Sequence, residues 1–160
     1  MIDPVVLQIA KRLRQIMHEV DRYSKYLQEN YQITIPQLVC LREIHDNGPI
    51  SLGALSKIVY VNSSTVTGIV DRLEKRGLVR RTRVSKDRRQ IHAEITDKGQ
   101  KFIAVAPAPL EERFADRLKK LEKDEIKALL FAVEKLVAML TPSDDGKASD
   151  DPVKINVGRG

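Results

Sequence analysis

The 160-residue chain has no tryptophan, one cysteine and only 4% aromatic residues. A single cysteine, Cys40, cannot close an internal disulfide, so no covalent framework holds the fold. No apolar run approaches the length of a membrane span, and the N-terminus lacks the apolar core of a signal peptide. The expectation is a cytoplasmic protein without a membrane partner. His18, His45 and His92 do not show metal-ligand spacing, and no glycine-rich phosphate loop or Ser–His arrangement stands out. No metal, no cofactor and no enzymatic activity are therefore expected. Repeats at solenoid periods are also missing. What remains is 42% hydrophobic, enough for the core of one domain.

Charge is plentiful and unevenly placed. The whole chain nets +6, with a sequence pI near 9.5. From Asp71 to Arg89 nine Lys/Arg stand against three acids, which is also +6, so everything outside this segment sums to zero. A polyanion-binding footprint concentrates charge in this way, and a solvated basic face is the alternative reading.

The stretch Val61–Thr96 carries that charge on a recognisable scaffold. Asn62 and Ser63 are good N-cap residues. Val66, Ile69, Val70 and Leu73 follow at i, i+3, i+4, i+7, one apolar face of a helix. Gly77 sits where a left-handed C-cap belongs. The opposite face shows Ser64, Gly68, Asp71, Arg72 and Lys75, flanked by Thr65 and Thr67. Short polar groups at one end and cations at the other suit a DNA major groove, with base edges near the former and phosphates near the latter. Leu78–Val84 and Ile91–Thr96 read as two strands joined by the basic loop Ser85–Gln90, a wing.

Before this stretch, Asp3-Pro4 opens a helix of about seven turns whose seam is Ile9, Leu13, Ile16, Val20, Tyr23 and Leu27. Thr34 with Gln37 fits a capping box, and Leu38, Leu41 and Ile44 form the buried face of the next helix. Asn47-Gly48-Pro49 ends it. Ile50 fits a short strand, and Ser51 caps a helix with Leu52, Leu55, Ile58 and Val59 inward. Two short helices joined by a tight turn, the second basic, make a helix-turn-helix. After the wing, Thr96 caps a helix that Pro107-Ala108-Pro109 should kink or break. Leu110, Phe114 and Leu118 continue a helical pattern. Ile126, Leu129, Leu130, Val133, Leu136, Val137 and Leu140 then form a helix–helix seam. The fold class expected is mainly α with a small β wing (α+β). Residues 1–33 and 97–141 supply terminal helices around a winged helix-turn-helix at 34–96. Residues 142–160 have little to bury and read as a flexible tail.

TVTGIVDRLEKRGLVRR (Thr65–Arg81), SKDRRQIHAEITDKG (Ser85–Gly99), IPQLVCLREI (Ile35–Ile44) and the SLGALSKIV helix together resemble the MarR family of bacterial transcription regulators. The resemblance covers about residues 5–140. It implies a homodimer held by its terminal helices and bound to a pseudo-palindromic double-stranded DNA operator. Ser63, Ser64, Thr65, Thr67 and Gly68 fall where the family contacts bases and phosphates, joined here by Arg72, Lys75 and Lys86. Arg88 and Arg89 match wing-tip arginines. Asp87 matches a wing acid that pairs with a recognition-helix arginine, here Arg72; shaping of the loop turn is the alternative. Pro107 and Pro109 depart from the family's unbroken helix, which leaves the dimer angle open.

The resemblance further implies repression by steric blockage, relieved by a small anionic or phenolic effector. Arg14, His18 and Arg22 share one side of the first helix, and Cys40 on the second could face them. Solvent exposure for the arginines and ordinary packing for His18 and Cys40 are the alternatives. A redox-sensing role for Cys40 lacks the first-helix position of the family's peroxide sensors. A helical interaction module without sequence-specific DNA binding would leave the basic hairpin unexplained.

Overall fold

In the computed structural model, which describes residues 2–83 and 90–141, Asp3 accepts a hydrogen bond from the Val5 backbone at 2.7 Å and opens α1 (Pro4–Tyr31). Thr34 and Gln37 close the expected capping box at the start of α2 (Ile35–Asn47). Gly48 adopts φ +67° after it. The two-residue strand β1 (Ile50–Ser51) follows, and Ser51 caps α3 (Leu52–Ile58). Asn62 caps α4 (Ser63–Lys75). Strands β2 (Val79–Arg83) and β3 (Ile91–Ile95) are antiparallel, and β1 adds to the far edge of β3, giving the order β1-β3-β2. Next come α5 (Asp97–Val105), α6 (Leu110–Leu118) and α7 (Lys123–Leu140).

The chain divides into two compact units, Met1–Phe114 and Ala115–Gly160. The core of the first joins the apolar face of α4 (Val66, Ile69, Val70, Leu73) to Leu38, Leu41 and Ile44 of α2, with Tyr23, Leu27 and Leu55 alongside. Each such side chain, once buried, contributes about 1.5–3 kcal/mol of transfer free energy. Packing that face inward turns the hydroxyl and basic face of α4 outward. Two glycines serve this arrangement. Gly77 adopts φ +72° just past α4, a conformation in which a side chain is strained. A Cβ on Gly99 would lie 2.1 Å from the Leu78 carbonyl oxygen, so α5 can approach the start of the hairpin only with glycine there.

The proline interruption breaks the helix as its chemistry requires, between Val105 and Leu110. The carbonyls freed there are captured by side chains. Tyr23 donates its hydroxyl to Ala108 O at 2.8 Å, and Arg42 donates to Ala106 O and Pro107 O at 3.5 and 3.4 Å. Arg42 also lies 3.7 Å from Glu112.

Several expectations need correction. Ile58, read as facing inward, is 42% exposed, because α3 ends with it and the chain is already turning. In that turn Tyr60 adopts φ +54° and is 94% exposed. The Val61 backbone N–H donates to Ser56 O, a Schellman-type closure whose left-handed residue is usually glycine. The α1 seam is expected only to pack against something equally long, a partner subunit being one candidate; within this chain it is buried at Tyr23 and Leu27, while Ile9 and Ile16 are exposed. Ile91 is exposed as well, so only Ala93 of β3 is fully buried. The first strand begins at Val79 rather than Leu78, because Leu78 still closes the end of α4 by donating to Leu73 O. The expected tail, 142–160, lies outside the described residues.

In the second unit, α7 starts with a Glu122/Glu125 capping box and buries none of its side chains. Leu129, Leu130, Phe131, Val133 and Val137 are exposed.

Candidate nucleic-acid interface

The outward face of α4 begins with four hydroxyl side chains, Ser63, Ser64, Thr65 and Thr67, all exposed. Their hydrogen bonds differ. The Asn62 carboxamide oxygen accepts from Thr65 N and from the Ser64 hydroxyl, both at 2.8 Å. The Thr67 hydroxyl donates back to Ser63 O at 2.8 Å. Ser63 and Thr65 keep their hydroxyl donors uncommitted among the described residues. Ser64 and Thr67 present oxygens that can still accept. The face therefore offers donors and acceptors together, as hydrogen bonding to base edges requires. Gly68 lies between them, and a Cβ there would meet nothing within 4 Å.

The charges around this face fall into two groups. Arg81 on β2 donates to Asp71 at 2.5 Å and to Glu74, whose other oxygen accepts from Arg81 N at 3.0 Å. Burial works against the Arg81 charge, but the two carboxylates outweigh it and raise its pKa above the usual arginine value. Arg80 pairs with Glu94 across the hairpin at 3.0 Å. Arg76 donates to Gln32 O and Tyr31 O at 2.6 and 3.1 Å and lies over the Phe102 ring. These three arginines hold the unit together. Arg72, Lys75 and Arg83 make no ion pair among the described residues. Both acids of α4 are thus neutralised from β2, and the exposed cations Arg72 and Lys75 of the helix have no acidic partner among the described residues.

The wing residues Lys86, Asp87, Arg88 and Arg89 lie outside the described residues, and with them the expected Asp87–Arg72 pair. Arg14, His18 and Arg22 are exposed on α1, and Arg22 pairs with Glu19 at 3.3 Å. Cys40 does not join them at a surface. It is 1% exposed in the core beside Tyr23 and Leu27, and burial, with Glu43 adding, pushes its thiol up to about 11. A thiol so placed is not a thiolate near neutrality and does not fit a sensor. The roles of Arg81, Arg76 and Arg42 escaped the sequence reading, since each partner is remote along the chain or a backbone carbonyl.

Residues 33–91 match the model of the MarR family. The uncharacterized HTH-type transcriptional regulator YsmB of Bacillus subtilis is 30% identical over 121 residues, spanning 76% of this chain and 83% of that protein. Among solved structures, the transcriptional regulator BldR from Sulfolobus solfataricus is similar at 27% identity and a TM-score of 0.60, over 87% of this chain and 100% of its own. A MepR-like protein complexed with pseudoligands is similar at 27% identity and a TM-score of 0.63, over 86% and 96%. YsmB and BldR are transcriptional regulators, not enzymes. With the helix-turn-helix, the wing strands and this likeness in agreement, the chain belongs to the MarR family of transcriptional regulators.

Proposed function

We propose that the protein is a homodimeric, sequence-specific DNA-binding regulator. One observation carries this reading: Arg81 neutralises Asp71 and Glu74 while Arg72 and Lys75, beside a row of exposed hydroxyls, make no ion pair among the described residues. In this reading Ser63, Ser64, Thr65, Thr67 and Gly68 approach base edges in a major groove, and Arg72 and Lys75 neutralise phosphates. Lys86, Arg88 and Arg89 contact the flanking minor groove, oriented by Asp87. Residues 34–96 do the reading, and the helices of 1–33 and 97–141 form the dimer. The exposed apolar residues Val5, Val6, Ile9, Ile16 and Met17 of α1, and those of α7, support a second copy as their cover. A dimer presents two reading heads and so favours an inverted repeat.

Selection of operator sequences from random duplex DNA tests the reading. The expected result is an inverted repeat bound by a dimer, with an affinity that falls steeply with salt as counterions are released. A monomer at micromolar concentration that ignores inverted repeats would overturn it. Such a molecule would fit the helical interaction module instead. Repression in the cytoplasm, relieved by a small anionic or phenolic effector near Arg14, His18 and Arg22, completes the proposal. The ligand-bearing MepR-like relative supports effector binding. A promoter–reporter assay with and without such compounds checks it.

A further inference from the structure

A basic depression of about 410 Å³ lies where the end of α1, the first turn of α2 and the last turn of α4 meet. Arg72, Lys75 and Arg76 form its cationic side, and Gln28, Thr34 and Gln37 its neutral side; no carboxylate lines it. Arg76 is bound by two backbone carbonyls, which do not cancel its charge. Three positive charges therefore converge without an anion among the described residues, which raises the local potential and attracts one from outside.

Gln37 supplies an independent observation. It is only 7% exposed, and its Oε1 accepts from Thr34 N at 3.1 Å to close the capping box. The amide nitrogen at its other end makes no hydrogen bond among the described residues. Although the residue is largely buried, this nitrogen still reaches solvent, so beside three cations it is a donor open to an acceptor from outside. An oxyanion meets every demand at once. It accepts from the amide, takes a forked pair of bonds from the Arg72 guanidinium, and receives the Lys75 ammonium.

We propose that this depression is a phosphate seat built by Gln37, Arg72 and Lys75, with Gln28 at its rim, distinct from the hydroxyl face that reads bases. Two sources share this chemistry. One is a backbone phosphate of bound duplex, which rests on the DNA-binding reading above. Seated here, it ties the strand to α1 and α2 as well as to α4 and so sets the register of the reading helix. The other is free phosphate or a phosphate monoester.

Gln37→Glu separates cap from seat. Glutamate at this position accepts from Thr34 N as glutamine does, so the capping box survives, but the donor becomes a negative charge. Gln28→Glu and Gln28→Lys change charge at an exposed rim position. Unfolding midpoints in urea confirm that each variant folds. Two readouts follow on the full chain: operator affinity against salt by fluorescence anisotropy, and calorimetric titration of the DNA-free protein with inorganic phosphate at constant ionic strength.

If duplex phosphate is the occupant, Gln37→Glu and Gln28→Glu weaken operator binding, the former by about tenfold or more. Gln28→Lys strengthens it, and the salt slope of Gln37→Glu falls by about one unit, the signature of one lost phosphate contact. If free phosphate is the occupant, wild type binds it, Gln37→Glu abolishes that binding, and operator affinity in phosphate-free buffer is unchanged. Unchanged operator affinity and slope in Gln37→Glu, together with no phosphate binding by wild type, overturns the seat. A wild type that binds no duplex overturns the DNA-binding reading, and the phosphate titration then decides the seat alone.

Discussion

Arg81, on the first strand of the hairpin, reaches Asp71 on the outer face of α4 at 2.5 Å while also holding Glu74 one turn further along the helix. One guanidinium thus joins the hairpin to α4 and cancels the two acids that, in the proposed mode of binding, would repel phosphates.

Arg81→Gln removes both functions. Charge-assisted hydrogen bonds of this kind contribute about 1.5–3 kcal/mol each when shielded. Asp71 and Glu74 are 50% and 38% exposed, so solvent screening brings the expected total loss down to about 1 kcal/mol. Operator affinity should fall further than stability does, because two uncompensated carboxylates then face the DNA, and the deficit should be largest at low salt. Urea unfolding and anisotropy titrations, run side by side, check both. A stability loss with no change in DNA affinity would contradict the neutralising role.

The two faces of α4 should respond differently to truncation. Leu73 is fully buried, and Leu73→Ala should cost about 2–5 kcal/mol through lost transfer energy and a residual cavity. Thr65→Ala, on the exposed face, should leave stability within about 0.5 kcal/mol and weaken operator binding. Comparable unfolding midpoints for the two variants would show that the helix is not oriented as described.

At Gly68 stability and function should move in opposite directions. A Cβ there meets nothing in the free protein, and replacing glycine inside a helix by alanine gains about 0.5–1 kcal/mol. Gly68→Ala should therefore raise the melting temperature. It should also lower operator affinity if the duplex approaches this point of the helix. A stabilised variant with undiminished binding would place the DNA elsewhere.

Cys40 should titrate late and react slowly. With the thiol raised to about 11 by burial, iodoacetamide at neutral pH should label it only after denaturation. The linkage has a definite sign. The folded state holds the proton more tightly than the unfolded state, so this group's stabilisation is complete below the ordinary thiol range near pH 9 and is lost as pH rises through about 11. Cys40→Ala should flatten that part of the stability–pH curve. Peroxide should leave native DNA affinity unchanged, whereas a peroxide-dependent loss reversed by thiol reductant would restore the sensor reading.

Local chemistry was readable from the sequence alone. Asp3, Thr34, Ser51, Asn62 and Thr96 cap helices because a cap needs only the next three residues. The periodic apolar residues of α4 chose its inner face for the same reason, and the prolines after Val105 could not continue a helix wherever they were packed. The concentration of positive charge between Asp71 and Arg89 was also visible in the sequence.

Only the tertiary structure decided which of the described charges in that segment are paired with one another. Arg72 and Arg81 are the same residue type in the same basic run, yet one stays unpaired among the described residues and the other is held by two carboxylates. Composition cannot separate them, because a pair forms only when the hairpin folds back over the helix and brings side chains ten residues apart within hydrogen-bonding reach. The same holds for Gln37, whose sequence announces a cap, while the amide donor left over beside three cations exists only once α1, α2 and α4 have packed together.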